Sequence, residues 1–267
     1  AIEVLLAVGL ERSADLRQLL ASELEVAHQD ETPSAAGAGV LLLSAFRAAD
    51  QRIPLQAAQG DWWPLDANTW FAARMLGQCI RGAPNLRMRL TKRQDSDSGE
   101  ATLPGLLSAL LGPTAALARA WRSTQGHGGY GGDASAGLCA LLQLLAEWCH
   151  DCPTAAEVLS SSPALLPELM ALLESNSGSH VLCGLAALVL GTCLLELPSQ
   201  GVLVGSSQLM EIIASRGVDT FTRASEDFLR SLSLEKPATK RYRQGFQDFA
   251  SLQFQKVQDA MVRIWLE

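Results

Sequence analysis

The sequence predicts an all-α fold, an armadillo/HEAT-like right-handed α-solenoid. Three observations predict it. Apolar residues recur at helical spacing through most of the 267 residues, among Ala, Leu, Arg, Gln and Glu, all good helix formers. No run alternates with period two and no Asn-Gly or Asp-Gly hairpin signal is present. Finally, three apolar segments resemble one another. "WFAARMLGQC" starts at Trp70, "GLCALLQLLA" at Gly137 and "GLAALVLGTC" at Gly184. The first and third share Ala-Ala-x-x-Leu-Gly-x-Cys, at residues 72–79 and 186–193. The second and third start 47 residues apart, within the period of HEAT and armadillo repeats, about 40–47. The first and second start 67 apart, and a Gly-rich loop at residues 123–133 absorbs part of the excess. In such an array each helix pair buries its apolar face only against its neighbours.

The helices can be set out in order from their start and stop signals. Asp66 caps a helix through Trp70, Phe71, Leu76 and Ile80, ended by Gly82 and Pro84. A short helix covers residues 86–90. Helices at 103–111 and 113–122 are separated by Gly112-Pro113. Residues 136–149 form a buried helix, and Pro153 opens the next, to about Ser160. Ser162-Pro163 starts a helix ending at Glu174. The run 181–195 ends before Pro198 and is a buried core helix. Its 15 residues are too few for a bilayer, which needs roughly 20. Ser206 or Ser207 caps a helix through Met210 and Ile213, closed by Gly217. A helix at 219–233, a loop at 234–245 and a C-terminal helix at 246–266 complete the series. On that last helix Phe254, Val257, Met261 and Ile264 form an a/d seam, widened by Phe246, Phe249 and Trp265. This breadth predicts a helix that caps the array, with Phe249 and Phe254 buried on the helix at 219–233. The whole of 1–267 is expected to be one helical segment. Its start without Met and its end on Trp265-Leu266-Glu267 in mid-pattern predict a fragment of a longer chain.

Composition narrows the function classes. With 48% hydrophobic residues the chain can bury a large core. Lys+Arg is 21 against Asp+Glu 28, net −7, which argues against a nucleic-acid surface. The one basic cluster, Lys240-Arg241-Tyr242-Arg243 with Lys236, is expected to be solvated. No basic leader with a cleavage site precedes the apolar residues 2–10. The six cysteines, Cys79, Cys139, Cys149, Cys152, Cys183 and Cys193, mostly sit in apolar helical patterns as small hydrophobes, as in a reducing compartment.

No chemistry-bearing motif survives inspection. Cys149-His150-Asp151-Cys152 follows a helix, where a thioredoxin-type centre needs a strand and a βαβ unit. A zinc site needs four ligands, and no second C-x-x-C or H-x₃-H exists. The simpler reading is that Cys149 closes one helix and Cys152-Pro153 opens the next, with His150 and Asp151 solvated. The loop at 123–135 lacks the Lys and the strand of a P-loop. Residues 92–100 lack the spacing and terminal Glu of a calcium loop. No G-x-S-x-G is present. No catalytic, cofactor-binding or metal-ligating residue is therefore expected, and no cofactor. The candidate partner-binding residues are Trp62 and Trp63, in a non-helical stretch before Asp66, because Trp is enriched at interface hot spots. The alternative for them is that one Trp plugs a gap between repeats.

Four stretches in order carry a resemblance. They are "NTWFAARMLGQCI" followed by "NLRMRL", "GLCALLQLLAEWCHDCPTAAEVLSSSPALLPELMALL", "GLAALVLGTCLLEL" and "LMEIIASRGVDTFTRASEDFLRS". The final "FQDFASLQFQKVQDAMVRI" falls where the family's head gives way to its coiled coil. Together they resemble the head region of the golgin-like vesicle-tethering proteins, the general vesicular transport factor family. The likeness spans residues 61–267; the Gly-rich loop and the Ala-rich composition depart from it. The resemblance implies a non-enzymatic tether, a parallel homodimer and a coiled coil beyond the head. It implies work in ER-to-Golgi and intra-Golgi traffic and recruitment by a Rab-family small GTPase. It further implies SNARE and golgin partners, and a cytoplasmic place peripheral on Golgi and vesicle membranes. No short family motif assigns a functional residue. A generic HEAT/armadillo adaptor with unrelated partners is the rival reading.

Overall fold

Helices whose apolar residues return every three or four positions must bury a stripe, and here they bury it on one another. The computed structural model describes residues 63–81, 83–91, 105–124, 134–174, 179–198, 205–233 and 237–266. Among the described residues the fold is all-α, with no strand. The helices are α1 Trp63–Ile80, α2 Pro84–Thr91, α3 Leu106–Thr124, α4 Ala134–Cys149 and α5 Pro153–Ser160. They continue with α6 Leu166–Leu173, α7 His180–Glu196, α8 Ser206–Arg216, α9 Val218–Ser233 and α10 Pro237–Leu266.

Several boundaries have clear local causes. Pro84 and Pro153 open α2 and α5, where a missing N–H costs nothing. Ser179 caps α7, its hydroxyl accepting from the Leu182 amide at 3.4 Å. Leu197 turns extended at ψ 137°, as the residue before Pro198 must. Gly217, at φ +104°, lets the chain leave α8 and enter α9 at once.

Other boundaries correct the sequence expectations. Gly112-Pro113 does not divide α3. Leu110, Leu111, Thr114 and Ala115 are buried on either side, and Thr114 Oγ1 donates to the Leu110 carbonyl at 2.7 Å. Burial along that face outweighs the lost amide, whose cost is about 3 kcal/mol. α6 starts at Leu166, later than expected, because Ser162 first supports a turn by accepting from the Leu165 amide at 3.2 Å. α10 begins at Pro237, so residues 237–245, expected as loop, are helical; Pro at the first position is again the local signal. α1 begins at Trp63, ahead of the expected cap at Asp66.

The three mutually similar segments lie in α1, α4 and α7, and they pack in series: α1 on α4, α4 on α7, and α7 in turn on α9. α2, α3, α5 and α6 form a second set, α2 on α5 and α3 on both α5 and α6. α10 crosses α7 and α9. α7 touches six other helices and buries every residue from Leu182 to Leu194, which is why it is apolar on all sides. Its two glycines are contact points. Gly184 lies under Phe228 of α9, and Gly191 lies under Phe221 of α9 and Val257 of α10.

The cap expected at the C terminus is seen for Phe254. It is buried and meets Phe228 edge-on, with centroids 6.2 Å apart. Phe249 differs: it is half-buried and its ring meets His150 instead, at 5.2 Å. No helix among the described residues is long and apolar enough to cross a membrane.

Candidate interaction site

Two of the places where polar side chains gather on this apolar frame lie along α4. The first is the turn between α4 and α5. α4 ends at Cys149, and Asp151 takes a left-handed conformation at φ +52°, which Asp tolerates better than most residues. Cys152 then sits at the N-cap of α5, buried, with no side-chain capping bond. The expected roles of Cys149, Cys152 and Pro153 are thus seen. Asp151 is exposed, and His150 is half-buried: its ring makes an edge contact with Phe249, and its Nδ1 lies 3.1 Å from Asp151 Oδ2.

The partner of Cys149 is not Cys152 but Cys193 on α7, with sulfurs 3.8 Å apart and both residues fully buried. The hydrogen bond to Cys193 and the burial push the Cys149 thiol well above its ordinary range. A thiol held protonated is a weak nucleophile and a weak metal ligand. Among the described residues no three His, Cys, Asp or Glu side chains gather to hold a metal ion.

α2 is pinned to this turn. Arg87, itself buried, donates from Nη1 to the carbonyl oxygens of Glu147, at 3.0 Å, and His150, satisfying the end of α4. Trp148 is fully buried and donates its indole N–H to Thr91 Oγ1 at 2.9 Å and toward the Arg87 carbonyl at 3.3 Å. Arg87, Thr91 and Trp148 are therefore structural anchors.

The second place is a shallow groove between α1 and α4, lined by Ala73, Gly77, Ala140 and Leu144 and by Arg74, Gln78, Arg81, Gln143 and Glu147. Trp70, Arg74 and Gln78 of α1, and Arg81 just past its end, follow one another at spacings of three and four. Trp70 is 38% exposed. From α4, Gln143 Oε1 accepts from Arg74 at 3.5 Å and Glu147 pairs with Arg81 at 2.5 Å. Burial lifts the Glu147 carboxyl above its ordinary pKa, against the opposing pull of Arg81, Arg74 and Arg87. The groove thus holds two flanking guanidiniums and one largely buried carboxylate.

Of the tryptophans singled out from the sequence, Trp62 lies outside the described residues. Trp63 is the first residue of α1 rather than part of a non-helical stretch. The groove was missed in the sequence. Its signal is Arg74, a cation within the otherwise buried run 72–80, and Arg81 just past the end of the helix.

No family model matches the chain. No curated protein matches it either.

Proposed function

We propose that the chain is a non-enzymatic helical scaffold acting through protein–protein contacts, built as an armadillo/HEAT-like right-handed solenoid, and that it forms the head segment of a vesicle tether in ER-to-Golgi traffic. The observation that carries the scaffold reading is the serial packing of the three similar helices, α1 on α4 and α4 on α7, with α5 and α6 set between the second and the third in the chain. That is the contact order of a repeat array, where each unit leans on its neighbour. The all-α structure of the described residues is compatible with it.

The tether reading rests on the ordered resemblance of residues 61–267 to the general vesicular transport factor head. It brings a Rab-family GTPase, SNARE and golgin partners and a peripheral place on Golgi membranes. Its test has two readouts. A fluorescent fusion of the chain should concentrate on Golgi membranes in cells. The purified chain should also bind a Golgi Rab-family GTPase in the GTP form and not in the GDP form. Diffuse fluorescence together with nucleotide-independent or absent binding overturns the tether reading, and the scaffold reading is then left to the generic adaptor.

A further inference from the structure

α4 ends on Cys149, and Cys193 lies within the last turn of α7. The two thiols meet where these helices pack on each other, Cys193 donating to Cys149 with the sulfurs 3.8 Å apart. Neither residue is exposed to solvent. Two cysteines that packed only as small hydrophobes would need no relation to each other. These two touch through their reactive atoms. A disulfide holds its sulfurs about 2.05 Å apart, so the pair must close by about 1.8 Å, the order of a side-chain rotation. Cys152 is nearer to Cys149 in sequence, but it occupies the N-cap of α5, and the sulfur of Cys149 meets Cys193 instead. Because 44 residues separate Cys149 from Cys193, a bond between them closes a loop that carries α5, α6 and most of α7.

We propose that Cys149 and Cys193 form a redox-sensitive lock on the α4–α7 contact, open as two thiols and closed as a disulfide, with a hydroperoxide as the oxidant. The step balances. One sulfur, as its thiolate, attacks a peroxide oxygen; the O–O bond breaks, the alcohol or water leaves, and a sulfenic acid remains. The second sulfur attacks the sulfenic sulfur; the S–O bond breaks, and the departing hydroxide takes the second thiol's proton as water. Two electrons pass from the sulfurs to the peroxide. Burial sets the kinetics. Neither sulfur reaches solvent, and Cys149 is held protonated by Cys193 and by its burial, so oxidation waits for the seam to open. The same burial shields the disulfide from thiol reductants, whose thiolate must reach a sulfur. The lock is slow in both directions and responds to sustained oxidation, not to a brief pulse. The proposal stands on this one contact and does not depend on the tether reading.

The reduced full chain, incubated in native buffer with excess hydrogen peroxide, tests it. Non-reducing digestion at Asp and Glu cuts between Cys149 and Cys152 at Asp151, and between both and Cys193 at Glu157, Glu168 and Glu174. Mass spectrometry with fragmentation should therefore find Cys149 joined to Cys193. The oxidised chain should melt several degrees higher than the reduced one, because the bond constrains the unfolded chain. Dithiothreitol should reverse the shift slowly in native buffer and quickly in denaturant. Cys149→Ala and Cys193→Ala should each abolish the shift, and Cys152→Ala should keep it. Circular dichroism establishes that each variant is folded; the crosslink map of the wild-type chain decides the matter where one is not. A Cys149–Cys152 or intermolecular disulfide as the main product overturns the proposal. So do peroxide-treated chains in which these thiols stay free or go on to sulfinic acid, a crosslink that forms only in denaturant, and a crosslinked chain whose melting temperature is unchanged or lower.

Discussion

Gly77, Gly184 and Gly191 provide a graded test of how the helices pack. Replacing a helical Gly by Ala gains roughly 0.5–1 kcal/mol of helix propensity wherever the methyl fits. At Gly77 it fits: the nearest atoms to the new Cβ are Glu147 Oε2 at 3.4 Å and Leu144 Cδ1 at 3.8 Å, ordinary contacts. Gly77→Ala should therefore be stabilising by about 0.5–1 kcal/mol. At Gly191 the Cβ meets Val257 Cγ2 at 2.9 Å and Phe221 Cζ at 3.3 Å, and with Val257 Cγ1 at 3.4 Å a turn of this stiff β-branched side chain brings little relief, so α10 must give slightly. Crowding then outweighs propensity, for a net loss of about 1 kcal/mol. At Gly184 the Cβ meets Phe228 Cδ2 at 2.8 Å, with Cγ and Cβ of the same residue closer still. Phe228 Cβ is fixed to the backbone of α9, so α9 itself must move. The overpacking cost of about 1–3 kcal/mol, or somewhat more, exceeds the propensity gain. Gly184→Ala should lose about 2 kcal/mol, a drop in Tm of about 4–8 °C at 2–4 °C per kcal/mol. Urea and thermal unfolding followed at 222 nm gives the order Gly77→Ala most stable, then Gly191→Ala, then Gly184→Ala. Three variants within about 0.5 kcal/mol of one another, or Gly77→Ala as the weakest, would refute the packing of α9 and α10 on α7.

Further outcomes follow from single side chains. Phe254→Ala removes a fully buried ring from the α9–α10 contact and should cost about 3–5 kcal/mol, while half-buried Phe249→Ala costs clearly less; equal losses in denaturant midpoints would contradict the placement of α10. Burial raises the Glu147 pKa above its ordinary 4.5, so the folded chain binds this proton more tightly than the unfolded chain. The linked stability is complete below about pH 4.5 and is lost as pH rises through the folded value. Glu147→Gln cannot titrate, so its stability relative to wild type should rise with pH between about 4 and 7; a flat or falling difference in unfolding midpoints excludes the raised pKa. Thiol labelling of the native chain with mass spectrometry should modify half-buried Cys139 before fully buried Cys149 and Cys193, and Cys149 labelled first would mean that the α4–α7 contact opens readily.

Much of the helical order was legible because the terminators act locally. Pro84, Pro153, Pro198 and Gly217 each bound a helix near where backbone chemistry puts the boundary. The misplaced boundaries are those where tertiary burial outvotes the local signal. Pro113 breaks no helix because Leu110, Leu111, Thr114 and Ala115 are held in the core around it. Partners across sequence distance were illegible. Nothing in Cys149-His150-Asp151-Cys152 says that Cys149 faces Cys193, 44 residues on, or that His150 meets Phe249 of the last helix. The α1–α4 groove was missed for a different reason. The shared Ala-Ala-x-x-Leu-Gly-x-Cys was read as a packing signature, which it is: Ala72, Ala73, Leu76 and Cys79 are buried, as are Ala186, Ala187, Leu190 and Cys193. What distinguishes the two helices lies in the positions the motif leaves unspecified. Arg74 and Arg81 stand where α7 has Leu188 and Leu195. In a repeated frame the matching residues carry the packing, and a cation in place of a leucine needs a polar partner, which Gln143 and Glu147 of α4 supply. The departure from the repeat, rather than the repeat, is what sets the polar α1–α4 seam, with its Arg81–Glu147 pair, apart from the apolar seam at Gly191.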